Sequence, residues 1–175
     1  MVGILRGSGA VPNPSGNQAF RWTAAGGAET IGGHMDTVSI SRDGRTIVDA
    51  ALDAQGIKNA AVWQGGTNWK VLGGVPGGVP QGLVLSAGYG VSGDGSVVVG
   101  IANLPSSQQF GSQFHGFRWQ ASTGMVDLGA LQQGGNTSGL AIAADGSTIV
   151  GYERPANKGT DLYNPSVSGS SGAIF

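Results

Sequence analysis

Residues 90–100 read Gly90-Val91-Ser92-Gly93-Asp94-Gly95-Ser96-Val97-Val98-Val99-Gly100, an Asp-Gly pair set between short runs that include β-branched residues. Gly takes positive φ at little cost and Asp tolerates it, so such a pair closes a tight hairpin. The strands on either side must then be neighbours in one sheet. The stretch recurs as Val38-Ser39-Ile40-Ser41-Arg42-Asp43-Gly44-Arg45-Thr46-Ile47-Val48-Asp49, and again as Ala141-Ile142-Ala143-Ala144-Asp145-Gly146-Ser147-Thr148-Ile149-Val150-Gly151. The Asp-Gly pairs begin at 43, 94 and 145, a spacing of 51 residues in both intervals. A fixed period of that length marks a repeat array and is roughly the blade length of a propeller.

Two further motifs follow each hairpin. One is an aromatic strand: Ala19-Phe20-Arg21-Trp22-Thr23, Ala60-Ala61-Val62-Trp63-Gln64 and Gly116-Phe117-Arg118-Trp119-Gln120. After a Gly-containing turn comes a short strand: Glu29-Thr30-Ile31-Gly32, Lys70-Val71-Leu72-Gly73 and Met125-Val126-Asp127-Leu128-Gly129. Each repeat is thus a four-stranded antiparallel meander, too small to bury both faces alone, and its copies must stack. Radial stacking gives an all-β propeller. Axial stacking, a β-solenoid, is the alternative, though solenoid coils are shorter and have fewer tight hairpins.

The repeats divide one domain, 1–175, into an incomplete unit at 1–37, full units at 38–87 and 88–138, and an incomplete unit at 139–175. Met1-Val2-Gly3 aligns with Ile149-Val150-Gly151, and Gly172-Ala173-Ile174-Phe175 with the start of an aromatic strand. The expectation is an incomplete ring cut from a longer protein. Its open blade edges and apolar faces should drive self-association.

Composition agrees with many short strands and tight turns. Gly occupies 34 of 175 positions, and charged residues make up only 11%. The net charge is −1 with no run of Lys or Arg, so nucleic acid and anionic membranes are poor partners. The absence of Cys excludes disulfides, thiolate metal sites and a Cys nucleophile. No stretch approaches the ~20 apolar residues of a membrane helix. The first residues lack signal-peptide features, so either the protein is cytosolic or its export signal lies outside these 175 residues.

The run Val91-Ser92-Gly93-Asp94-Gly95-Ser96-Val97-Val98-Val99-Gly100, with Phe117-Arg118-Trp119 and Gly124-Met125-Val126-Asp127-Leu128-Gly129-Ala130-Leu131, resembles the HAF-type extracellular repeats of bacteria. The resemblance spans nearly the whole chain and is closest over 90–151. It implies a propeller-like fold and a secreted or surface origin in the parent protein. It supplies no catalytic residues, since the family has no general assigned activity. Unit two departs from the pattern, with Asp49 at a Gly position and Val62 at an Arg position.

Residue by residue, structural roles compete with functional ones. Trp22, Trp63 and Trp119 share one repeat position and are read as blade-to-blade core rather than ligand platforms. Asp43, Asp94 and Asp145 have carboxylates that suit calcium, yet turn formation already explains their spacing. Arg21 and Arg118 are expected to stack, or to pair with Glu29 or Asp127.

Loops joining second to third and fourth to first strands must emerge on one face. The long insertions fall there: 5–18, 74–86, 102–115 and 153–171. Elaborated loops on a rigid scaffold are where function concentrates. The leading expectation is therefore a non-enzymatic structural or binding module presenting loops 74–86, 102–115 and 153–171 to a small molecule, glycan or protein.

The alternative is a metal-dependent, calcium-dependent lactone or ester hydrolase at the channel mouth. Its candidate catalytic residues are His34, Asp36 and His115, and its candidate metal ligands His34, Asp36, Glu153 and Asp161. No His-x-x-x-His spacing, Gly-x-Ser-x-Gly elbow or phosphate loop accompanies them.

Overall fold

The computed structural model describes residues 1–5, 18–32, 38–107, 111–155 and 171–174, and every regular element in them is a strand. Sheet one holds β1 (Val2–Leu5), β2 (Gln18–Thr23) and β3 (Gly27–Gly32). Sheet two holds β4 (Ser39–Ile40), β5 (Ile47–Leu52), β6 (Lys58–Trp63) and β7 (Lys70–Gly73). Sheet three holds β8 (Ser86–Val91), β9 (Val97–Ser107), β10 (Gly111–Gln120) and β11 (Gly124–Asp127). Sheet four holds β12 (Asn136–Ile142), β13 (Ile149–Arg154) and β14 (Ser171–Ile174). Each strand pairs antiparallel with its neighbour in sequence, so every sheet is a meander.

The sheets pack face to face as blades. Strand β8 approaches both β4 and β12, so the first strands converge on a hub. Between sheets two and three lie Val48, Val62 and Val75 on one side and Val98, Phe117 and Met125 on the other, all buried. Ala19 and Ile31 meet Ile47 and Trp63 between sheets one and two. The chain is an arc of β-propeller blades.

Two sets of hydrogen bonds tie blade to blade at repeat-equivalent positions. At the hub, Arg42 N–H donates to Gly93 O at 3.0 Å, and Gly93 N–H donates to Ala144 O at 2.8 Å. Further out, the Thr137 hydroxyl donates to Gly129 O (2.6 Å) and accepts from Gly116 N–H (3.0 Å). Ser86 makes the same latch one blade earlier, donating to Gly73 O and accepting from Ala60 N–H. The Ser86 hydroxyl inserts beside the register shift between Ala60 and Ala61 in the β6–β7 ladder.

The Asp-Gly hairpins are longer than two-residue turns. Ser41 N–H closes onto Thr46 O (2.8 Å), and Gly44 N–H onto Ser41 O (2.9 Å), with Gly44 at φ 73°. This is a type I turn followed by a left-handed residue, which is why Gly must follow Asp. The carboxylates act inside the turns. Asp94 Oδ1 accepts from the Ser92 hydroxyl at 2.6 Å, from Ser96 N–H at 3.0 Å and from the Ser96 hydroxyl at 2.8 Å. The Ser92 hydroxyl, then the amide and hydroxyl of Ser96, hold the Asp94 carboxyl down at about 2 against the small opposing effect of burial. Asp43 and Asp145 make the corresponding bonds to Arg45 N–H and Ser147 N–H. All three aspartates serve as turn acceptors.

The expected loop at 102–115 is instead mostly strand. β9 runs on to Ser107 and β10 begins at Gly111, with Asn103 opposite Phe114 and Leu104 opposite Gln113. The reason is lateral support from the 74–85 segment, which supplies backbone partners beyond the blade: Asn103 N–H donates to Leu85 O (2.8 Å) and Asn103 Nδ2 to Val84 O (2.7 Å).

Candidate functional site on the loop face

The β9–β10 arms project from the face opposite the Asp-Gly turns, and Gln81 fastens the neighbouring loop to them. Its Nε2 donates to Leu104 O (2.9 Å) and Ser106 Oγ (3.2 Å), while its Oε1 accepts from Ser112 Oγ (2.8 Å). The same loop is pinned to β6 by Lys58 N–H to Leu83 O (2.7 Å) and Leu85 N–H to Lys58 O (2.9 Å).

Glu153 braces the next loop, 128–135. It is buried, and its two carboxylate oxygens accept from Leu131 N–H (3.0 Å) and Gln132 N–H (2.9 Å). Gly135 makes room for it, since a Cβ there would lie 2.2 Å from Glu153 Oε1. The position nominated as a metal ligand is thus engaged in holding a loop. A signal for this was present: at the same repeat position the two full units carry Ala51 and Ala102, both buried. A carboxylate replacing buried Ala needs hydrogen-bond partners of its own.

Rigid bracing coincides with exposed apolar side chains. Leu52, Val79, Leu83 and Leu131 all stand exposed, and all sit on or beside the connections of this one face. Burying them against the scaffold would have been favourable by about 1.5–3 kcal/mol each, yet the bonded loops hold them outward.

His115 lies at the root of the β10 arm. Its Nδ1 meets both Asp127 oxygens, at 2.9 and 3.0 Å, and Asp127 Oδ1 also accepts from Gly129 N–H at 2.7 Å. Burial by itself would raise the Asp127 carboxyl. The hydrogen bond and charge of His115, with the Gly129 amide, outweigh it and hold the group below the usual range. Twelve residues separate the pair in sequence, and the β10–β11 ladder brings them together. The sequence left Arg118 either to stack or to pair with Glu29 or Asp127. Instead Val126 stands opposite Arg118, whose Nη1 bonds Gln120 Oε1 at 2.5 Å. In sheet one Glu29 does stand opposite Arg21, and they pair at 2.7 Å.

His34, Asp36 and Asp161 lie outside the described residues. Among the described residues no group of three or more His, Cys, Asp or Glu comes together that could hold a metal ion.

On the opposite face, two repeat-equivalent clefts of about 320 and 330 Å³ lie between blades. One is lined by Arg21, Arg45, Trp63 and Gln64, the other by Lys70, Ser96, Trp119 and Gln120. Their indoles are already covered: the Arg21 guanidinium lies 5.1 Å from the Trp63 ring centroid, and Lys70 Nζ 5.7 Å from that of Trp119. These are inter-blade cation–π stacks, in keeping with a packing role for both tryptophans.

Fold and site together define a β-propeller arc with one elaborated face. No protein-family model and no curated protein matches the chain. Among solved structures, it is similar to a protein assigned as TolB from Agrobacterium tumefaciens, at 19% identity and a TM-score of 0.48. That match covers 77% of this chain and 46% of the other, so the chain spans less than half of its length. Among the described residues no helix is long and apolar enough to cross a membrane.

Proposed function

We propose that the chain is a non-catalytic binding module of an exported bacterial repeat protein, and that its loop face takes a protein partner. The supporting observation is the pairing of rigid loops with exposed leucines. Gln81 and Glu153 fix loops 74–85 and 128–135, so little ordering entropy remains to be lost on association. Leu83 and Leu131 then offer apolar contacts that a protein surface fits better than a glycan or nucleic acid does. Export rests on the resemblance to extracellular repeats.

A second reading has one observation in its favour. The contact of His115 Nδ1 with Asp127 is the arrangement that orients an imidazole for acid–base work, leaving Nε2 to act. A lactone or ester hydrolase would use it, with calcium or another divalent ion held by residues such as His34, Asp36 and Asp161.

Site-specific photocrosslinking distinguishes the two. A photoreactive residue at Leu83 or Leu131 should give a discrete adduct to a foreign protein in the producing cell, while one at Ser122, on the turn face, should not. No adduct at either leucine, together with chelator-sensitive turnover of simple esters or lactones that falls in His115→Ala, would replace the binding reading with the hydrolase.

A further inference from the structure

We infer that the cleft between sheets two and three on the turn face binds a small hydroxylated carboxylate, with the size and chemistry of one uronic-acid ring. The equivalent cleft between sheets one and two engages its own cation and indole N–H. This one leaves both open.

In sheet one, Arg21 stands opposite Glu29 across the β2–β3 ladder, and the two pair at 2.7 Å. The same cross-strand position in sheet two holds Val62 opposite Lys70. A self-neutralising pair has become an apolar residue and a cation. Each sheet still sets a cation against the next blade's indole, Arg21 on Trp63 and Lys70 on Trp119. Glu29 balances the charge of Arg21, whereas among the described residues no carboxylate forms an ion pair with Lys70.

The indoles differ in the same sense. Trp63 is 3% exposed and donates from Nε1 to Gly66 O at 3.0 Å. Where sheet two continues Gln64-Gly65-Gly66, sheet three reads Gln120-Ala121-Ser122. Trp119 is only half-buried, and among the described residues its Nε1 has no such acceptor. Gln120 gives its Oε1 to Arg118 Nη1 at 2.5 Å, which leaves Nε2 to donate. Gln64 gives its Nε2 to Thr46 Oγ1 at 3.2 Å, which leaves Oε1 to accept.

These groups line one cleft of about 330 Å³, at the small end of ligand sites and enough for a single sugar-sized ring. No Asp or Glu lines it. Asp94, in the adjoining turn, is taken up by the hydroxyls of Ser92 and Ser96. A neutral ligand would leave Lys70 uncompensated, and a bare carboxylate would leave the Gln64 acceptor and most of the volume unused. A ring that carries a carboxylate and hydroxyls meets both demands. Its carboxylate takes a charge-assisted hydrogen bond from Lys70 Nζ. Its hydroxyls exchange hydrogen bonds with Gln64 and Gln120, and its carbon skeleton lies along the open part of Trp119.

Indole N–H signals in proton–nitrogen correlation spectra of the full chain test this, since its four tryptophans give four probes. Sodium glucuronate should move the Trp119 signal, assigned through Trp119→Phe, along a saturable curve in the millimolar range. The Trp63 and Trp69 signals should stay in place. Glucose, which lacks the carboxylate, and acetate, which lacks the ring, should each bind at least about tenfold more weakly. Lys70→Met, at an exposed position, should weaken glucuronate by about tenfold or more while the Trp63 and Trp69 signals report an intact fold. A Trp119 signal that glucuronate moves no further than sodium chloride does at equal ionic strength would overturn the inference. So would equal binding of glucose or acetate, or undiminished binding of glucuronate by Lys70→Met.

Discussion

Gly100→Ala is expected to destabilise the chain by about 3 kcal/mol, the upper end of what overpacking costs. For a chain of this length that lowers Tm by about 6–12 °C. A Cβ on Gly100 would lie 2.0 Å from Ala87 O and 2.9 Å from Phe117 Cε1. The first obstacle is the backbone of the paired strand, β8, which cannot move without opening the ladder. Gly151 repeats the situation, with its Cβ 1.7 Å from Ser138 O. Sheet two carries Asp49 at this position, and among the described residues β4 pairs with β5 at Ser39–Val48 and Ile40–Ile47. Thermal melts decide the matter: a Gly100→Ala chain that melts within about 1 °C of wild type would mean that β8 and β9 are not paired as described.

The second large effect separates two tryptophans at the same repeat position. Trp63→Ala should cost about 3–5 kcal/mol, the usual loss for a buried Trp. The indole is 3% exposed, donates from Nε1 to Gly66 O at 3.0 Å and lies under the Arg21 guanidinium. Trp22→Ala should cost under about 1 kcal/mol, because Trp22 is 45% exposed. Urea denaturation of the two variants measures the difference. Equal losses would show that the Trp22 face is covered within one chain, or that the Trp63 face is not.

The architecture was legible because it is written three times. The 51-residue spacing, the Asp-Gly turns and the aromatic strands each imply one strand pairing, and together they imply the meander. What the sequence concealed depends on partners distant along the chain. Residues 102–107 include Pro105, which lacks an N–H and argues against a strand, followed by two serines. Only the lateral bonds from Gln81, Val84 and Leu85 make that segment an arm of a hairpin. Glu153 reads as a surface carboxylate until the amides of Leu131 and Gln132 are seen on it. His115 and Asp127 likewise meet only through the β10–β11 ladder. Of the nominated site residues, His115 has a partner suited to chemistry and Glu153 has a structural task.

Radial packing of blades is the claim on which the rest depends, and amide exchange at Arg42 and Gly93 tests it most directly. Both amides lie in Asp-Gly turns, where an isolated sheet would leave them open to water. In the arc each donates to the next blade, at 3.0 Å to Gly93 O and 2.8 Å to Ala144 O. Hydrogen exchange followed by NMR should find both protected to nearly the level of the core strands, opening only with global unfolding. Exchange at the rate of a free turn peptide would contradict the arc and leave four sheets without the hub that joins them.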